Sequence, residues 1–261
     1  MIPGATSLLM AIEFGDSPPQ STPPVEPGSD APRAEADRTP LTLSKRSQGI
    51  ELGVFLLLLA PQVVVTALVR ETTHMTFASA AITVVVRDIG FVALIFFLLS
   101  RNGESPREIG WTFKKGPRSI VFATLTFPLI LYGISFAQIL WLRLGLSAPA
   151  HAPSYFVMQS PTELPLLGYL AVINGTAEEI IFRGYLLLRF TALTGRFWAV
   201  VLSSALFGLG HVYQGTASAL SIGCLGLVFA VIYLQMRSLV IPIVWHCLQD
   251  FVAILLASSH R

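Results

Sequence analysis

Within the stretch NGTAEEIIFRGYL, residues 174–186, two adjacent glutamates and an arginine interrupt an otherwise apolar run. Glu179 and Arg183 stand four apart with the acid first, the spacing and order in which two helical side chains meet as an ion pair. On a helix Glu178 points about 100° away from Glu179 and has no basic partner on its own face. Such a carboxylate needs a proton, a metal ion or a partner from another helix. Further along, FGLGH (207–211) places His211 four residues after Phe207, and HCLQD (246–250) places Asp250 four residues after His246. A carboxylate at that spacing can hold an imidazole by one nitrogen and aim the other. Either a metal site or an acid–base pair can be built from these groups.

Each of these groups interrupts a long apolar run, and their surroundings define the class of protein. The chain of 261 residues is 53% hydrophobic and 12% charged, about half the charged fraction of a soluble domain. Seven candidate spans follow residue 50, at 50–69, 76–99, 119–142, 164–188, 197–213, 217–236 and 239–257. Each approaches the roughly 20 residues that cross hydrocarbon as a helix, and the fifth is the shortest. Pro61, Pro128 and Pro242 fall within or near spans, where kinks are tolerated. The expected fold is all-α: a polytopic membrane bundle of about seven helices with its site in the helix core. No internal repeat or inverted pair of broken helices is evident.

Residues 1–48 read as a disordered, acidic, proline-rich tail preceding a membrane-embedded domain, 49–261. The tail does not have the pattern of a signal peptide. Residues 1–44 hold six acids against two arginines, leaving +6 for the rest of the +2 chain. That charge is too small and scattered for nucleic-acid binding; the expected partners are the lipid bilayer and a peptide or membrane-protein substrate. The connections before span one and after spans two, four and six carry ten Lys and Arg, including Arg189, against three on the other side. This bias predicts a cytoplasmic N-terminus, most simply at the cell (plasma) membrane. Cys224 and Cys247 read as small buried apolar residues. His74, His151 and His260 fall in loops or at the end and are assigned nothing.

Charges inside spans are expensive and are functional by default. Arg87, Asp88, Glu178, Glu179, Arg183 and Asp250 sum to −2, and low dielectric does not leave such an excess unbalanced. A divalent cation, protonated carboxyls or protonated histidine would repair it. Arg87 and Asp88 are adjacent, so the expectation is that they do not face each other and that each has another, structural partner. Gly208 and Gly210 are expected to admit a neighbouring helix.

EEIIFR, FGLGH and HCLQD, in that order and each on its own apolar span, resemble the three motifs of the CPBP intramembrane proteases. This is the CAAX-protease and bacteriocin-processing (Abi) family, which includes Rce1-type prenyl-protein endopeptidases. The resemblance covers roughly residues 164–257. It implies that Glu178 is the catalytic glutamate and activates a water with His211. His246 and Asp250 would lie across the pocket at the oxyanion or leaving group, and Glu179 and Arg183 would shape the site. Asp250 stands where several members have Asn, and an ionised carboxylate cannot donate to an oxyanion. The family is described as metalloproteases, and a metal-free glutamate mechanism is also argued for it. Zinc takes three N/O ligands and an open position, which Glu178, His211 and His246 could supply; without metal, Glu178 is a general base. The competing readings are a catalytically silent scaffold or immunity-type protein using the same cavity, and a proton-coupled transporter.

Overall fold

The computed structural model describes residues 43–68, 75–113, 116–147 and 154–259, which are helical and without strands. Most of the predicted tail, together with Arg70, His74, Lys114, Lys115, His151, His260 and Arg261, lies outside the described residues. Eight helices follow in order: α1 (Lys45–Leu68), α2 (Phe77–Arg101), α3 (Gly116–Arg143), α4 (Leu164–Glu179), α5 (Leu187–Thr194), α6 (Arg196–Leu209), α7 (Thr216–Met236) and α8 (Val240–Ser259). A π-helical segment, Ile180–Leu186, runs α4 into α5 without a break.

Local chemistry sets the ends. Thr76 caps α2 by accepting from the Ser79 amide, and the Ser79 side chain returns the bond to the Thr76 backbone, which satisfies orphan donors of the first turn. Gly195 turns α5 into α6 at φ 85°, and Gly215 starts α7 at φ 93°, conformations that glycine adopts without a Cβ penalty.

Among the described residues, six segments are long and apolar enough to cross a membrane: Lys45–Val65, Phe77–Arg101, Gly116–Arg143, Pro161–Thr194, Thr216–Met236 and Val240–Ser259. The chain is thus an integral, multi-pass membrane protein. The predicted fifth span is corrected: α6 is a 14-residue apolar helix, about 21 Å long at 1.5 Å per residue, shorter than the roughly 30 Å hydrocarbon core. It ends at Leu209, and His211 follows just beyond, before the short 3₁₀ turn Val212–Gln214.

α4, the π segment, α6, α7 and α8 hold most of the buried side chains, and α2 packs on α4. α1 and α3 turn apolar faces outward, with Leu57, Val64, Leu125 and Tyr132 more than half exposed, as lipid-facing helices do. Close approach within the core depends on glycine. A Cβ on Gly208 would stand 2.7 Å from the Ala219 carbonyl oxygen of α7, and one on Gly175 would stand 2.9 Å from the Cys247 amide of α8. Gly210 meets only carbonyls of its own turn, so of the two glycines expected to admit a neighbour, only Gly208 does. Cys224 is exposed and Cys247 half-buried, contrary to the expectation that both are buried: Cys224 lies on the outer face of α7, where a thiol is apolar enough to meet lipid.

Candidate active site

The π segment is wholly buried and carries Arg183 into the core. Its wider turn changes which carbonyls are bonded along the helix, and Ser203 of α6 donates its hydroxyl to the Phe182 carbonyl at 2.7 Å. Sequence periodicity gave no sign of this segment.

Glu179 and Arg183 pair at 2.6 Å with side chains 0% and 1% exposed. The guanidinium lies 4.1 Å from the Phe207 ring centroid and 5.2 Å from that of Phe229, a cation–π setting in a dry interior. Gly226 makes room for it, since a Cβ there would meet Arg183 Nη2 at 3.2 Å. Phe207 also packs edge-on against His211 and His246, with centroids 5.0 and 5.6 Å away. One ring therefore spaces the arginine from both imidazoles.

His211 Nδ1 lies 2.9 Å from the Phe207 carbonyl oxygen. A carbonyl only accepts, so Nδ1 carries the hydrogen and neutral His211 presents Nε2 as an acceptor. His246 Nδ1 lies 2.7 Å from Glu179 Oε1, and Nδ1 is again the donor. The expected pairing of His246 with Asp250 is thereby corrected: Glu179 of α4 orients the imidazole, while Asp250 Oδ1 is 3.7 Å from His246 Nε2, beyond hydrogen-bond range. Asp250 Oδ2 instead accepts from Asn174 Nδ2 at 3.0 Å.

Arg87 and Asp88 do face each other, against expectation. Arg87 Nε donates to Asp88 Oδ1 at 2.8 Å and Nη2 approaches the same oxygen to 2.7 Å. The arginine stem is long enough to curl back onto its sequence neighbour. Arg87 Nη2 also donates to Asn174 Oδ1 at 3.3 Å. A polar chain thus runs Asp88–Arg87–Asn174–Asp250 across α2, α4 and α8.

These groups border a cavity of about 430 Å³ lined by Arg87, Asp88, Asn174, Glu178, His211 and Asp250, with Tyr213 and an apolar wall including Val84, Phe156 and Ile254. Its size suits a small ligand or a segment of peptide. Glu178 makes no hydrogen bond to a described residue; its nearest charged neighbours are His246 Nε2 at 3.7 Å and Arg87 Nη2 at 3.9 Å. His246, 4% exposed, stands behind the cavity wall. Of the three predicted metal ligands, Glu178 and His211 line the cavity. Among the described residues, no three His, Cys, Asp or Glu side chains are arranged to hold a metal ion.

Asn174 was missed, although it stands four before Glu178 and so shares its helical face. A second polar cluster was also missed. Arg189, counted in the sequence as a connecting-loop charge, is buried in α5 and bonds both oxygens of Glu104 at 2.6 Å. It also bonds Glu51 of α1 at 2.9 Å, and Tyr185 donates to the same carboxylate at 2.7 Å. Glu51 falls inside the first predicted span, so its carboxylate takes the in-span sum from −2 to −3.

Residues 160–252 match the family model for type II CAAX prenyl endopeptidase Rce1-like proteins. Neither a curated protein nor a solved structure matches the chain. The matched segment starts at the capping turn before α4 and ends within α8, so it contains Asn174, the Glu178–Arg183 stretch, His211, His246 and Asp250. Over residues 160–252, about a third of its length, the chain is thus similar to the Rce1-like type II CAAX prenyl endopeptidases.

Proposed function

We propose that the chain is an intramembrane endopeptidase cutting a membrane-associated or lipid-modified protein or peptide, with Glu178 as general base and His211 as its partner at the attacking water. The observation that carries this reading is the state of Glu178: a carboxylate inside a helix bundle, on a cavity wall shared with His211, with no hydrogen bond to a described residue. Such a group is free to accept a proton from water. His211 Nε2, left as an acceptor, orients the same water. The water oxygen bonds to the peptide carbonyl carbon as its proton passes to Glu178. The tetrahedral intermediate then collapses, the C–N bond breaks, and Glu178 returns the proton to the leaving amine. His246 is a positioning residue, held by Glu179 with Nε2 3.7 Å from the carboxylates of both Glu178 and Asp250. The apolar wall beside the polar end suits an apolar or lipidated chain.

Glu178 and His211 act on the water directly; His246, the third zinc ligand that the sequence suggests, stands behind the cavity wall. The N-terminus is cytoplasmic and the membrane is the plasma membrane. In support, Lys45 and Arg46 begin α1, Arg101 ends α2, Arg118 begins α3, and Arg196 begins α6 after the fourth membrane-length segment.

The test is cleavage of an internally quenched peptide library by purified protein. Glu178→Gln is expected to abolish cleavage with an unchanged melting temperature, and a divalent-metal chelator is expected to leave the wild-type rate intact. Normal turnover by the Glu178→Gln protein would remove the general-base role. Loss of activity on chelation with recovery on adding zinc would replace the metal-free chemistry with a metal-dependent one.

A further inference from the structure

Peptide hydrolysis at Glu178 places negative charge on the former carbonyl oxygen, and that oxygen needs a hydrogen-bond donor fixed in advance. Among the neutral donors on the cavity wall, Tyr213 keeps its hydroxyl hydrogen, since its oxygen accepts from Gln214 Nε2 at 2.9 Å; a cationic donor holds an oxyanion more strongly than a phenol does. Asp88 and Asp250, as carboxylates, accept and do not donate. The amide hydrogen of Asn174 is given to Asp250, and the Nδ1 hydrogen of His211 is given to the Phe207 carbonyl. His246 stands behind the wall.

Arg87 is the one lysine or arginine among the described lining residues. Its side chain is 24% exposed while Asp88 behind it is 1% exposed. Two contacts to Asp88 Oδ1 and one to Asn174 hold the guanidinium by Nε and Nη2. Nη1 makes no hydrogen bond to a described residue, and the same guanidinium approaches Glu178 Oε1 to 3.9 Å. A planar cation anchored through Nε and Nη2 by a buried carboxylate, lining the cavity with that Nη2 3.9 Å from Glu178, is a preorganised charge beside the reacting centre.

We propose that Arg87 is a catalytic residue that binds the oxyanion of peptide hydrolysis, a role that rests on the endopeptidase reading of Glu178. As the water oxygen bonds to the carbonyl carbon and Glu178 takes the proton, the carbonyl π pair moves onto oxygen and is met by the Arg87 N–H. As the C–N bond breaks, the pair returns to the carbonyl and the amine leaves with the proton from Glu178. Arg87 gains and loses no proton.

The rival explanation is that Arg87 only neutralises Asp88. Removing both charges separates the two. The full-length chain is purified in detergent and assayed on one internally quenched peptide that wild type cleaves and Glu178→Gln does not. Arg87→Gln combined with Asp88→Asn is expected to keep the wild-type melting temperature and KM but to lose about 10²–10³-fold in kcat, the effect of removing one oxyanion donor. Arg87→Lys keeps a cation for Asp88 but loses the guanidinium fork, and is expected to lose at least about tenfold in kcat. A double variant within about threefold of wild-type kcat overturns the role while leaving the Glu178 chemistry standing. So does a loss confined to KM. Should the double variant not fold, unchanged kcat in Arg87→Lys overturns it alone. If no peptide shows Glu178-dependent cleavage, the role falls together with the endopeptidase reading.

Discussion

Glu178 and Glu179 are neighbours in sequence and opposites in circumstance. Glu179 is fully buried and its Oε1 accepts from both Arg183 and His246; Glu178 borders the cavity without a hydrogen bond to a described residue. Neutralising them should therefore have unlike effects. Glu179→Gln strips the carboxylate from a buried arginine, and breaking a buried pair from one side costs about 3–5 kcal/mol. A clearly lowered melting temperature in detergent is expected, together with weaker orientation of His246. Glu178→Gln removes a charge that no hydrogen bond to a described residue holds, and should leave the melting temperature unchanged. Equal melting temperatures for the two variants would contradict this division between structural and chemical carboxylates.

At the scale of elements, the site depends on a helix that stops early. α6 pairs with α7 and returns beside the π segment, where Ser203 meets Phe182 and Phe207 packs on Phe182 with centroids 5.1 Å apart. One turn further, the chain reaches His211 on the same cavity as Glu178. A full-length span would carry that position past the glutamate. The depth of α6 rests on its close fit to α7 at Gly208, where a Cβ would strike backbone rather than a movable side chain. Gly208→Ala is expected to destabilise the protein by about 1–3 kcal/mol through overpacking and to reduce activity by shifting His211. Gly53→Ala in α1, where a Cβ meets nothing within 4 Å, is the matched control and should melt no lower than wild type. Equal melting of the two variants would mean that the α6–α7 contact does not limit stability.

For the whole molecule, the buried and half-buried charges among the described residues form two groups with different duties. One surrounds the cavity; the other, Arg189 with Glu51, Glu104, Tyr185 and Asn102, ties α1 and the segment after α2 to α5. Removing Arg189 from the count of connecting-loop cations still leaves the bias on the side of the α1 N-terminus. A cysteine introduced at Ser44 is therefore expected to react with an impermeant thiol reagent in inside-out vesicles and not in intact cells. The opposite pattern would invert the proposed orientation.

Composition and hydropathy alone determined that the chain is an α-helical membrane bundle, because lipid admits few other folds and long apolar runs are visible residue by residue. Helical periodicity determined the contacts within a turn: Glu179 with Arg183, and Phe207 beside His211. Everything between helices was decided by tertiary structure. His246 and Asp250 stand four apart, yet Glu179 from α4 takes the imidazole. Arg87 and Asp88 look divergent, yet the guanidinium folds back and joins Asn174 to bridge α2 toward α8. The physical reason is that spacing along one helix sets only local neighbours. Which face meets which partner depends on the rotation and depth of each helix, and these follow from backbone approach at Gly175 and Gly208, from the room that Gly226 leaves for Arg183 and from the π-helical turn at Ile180–Leu186.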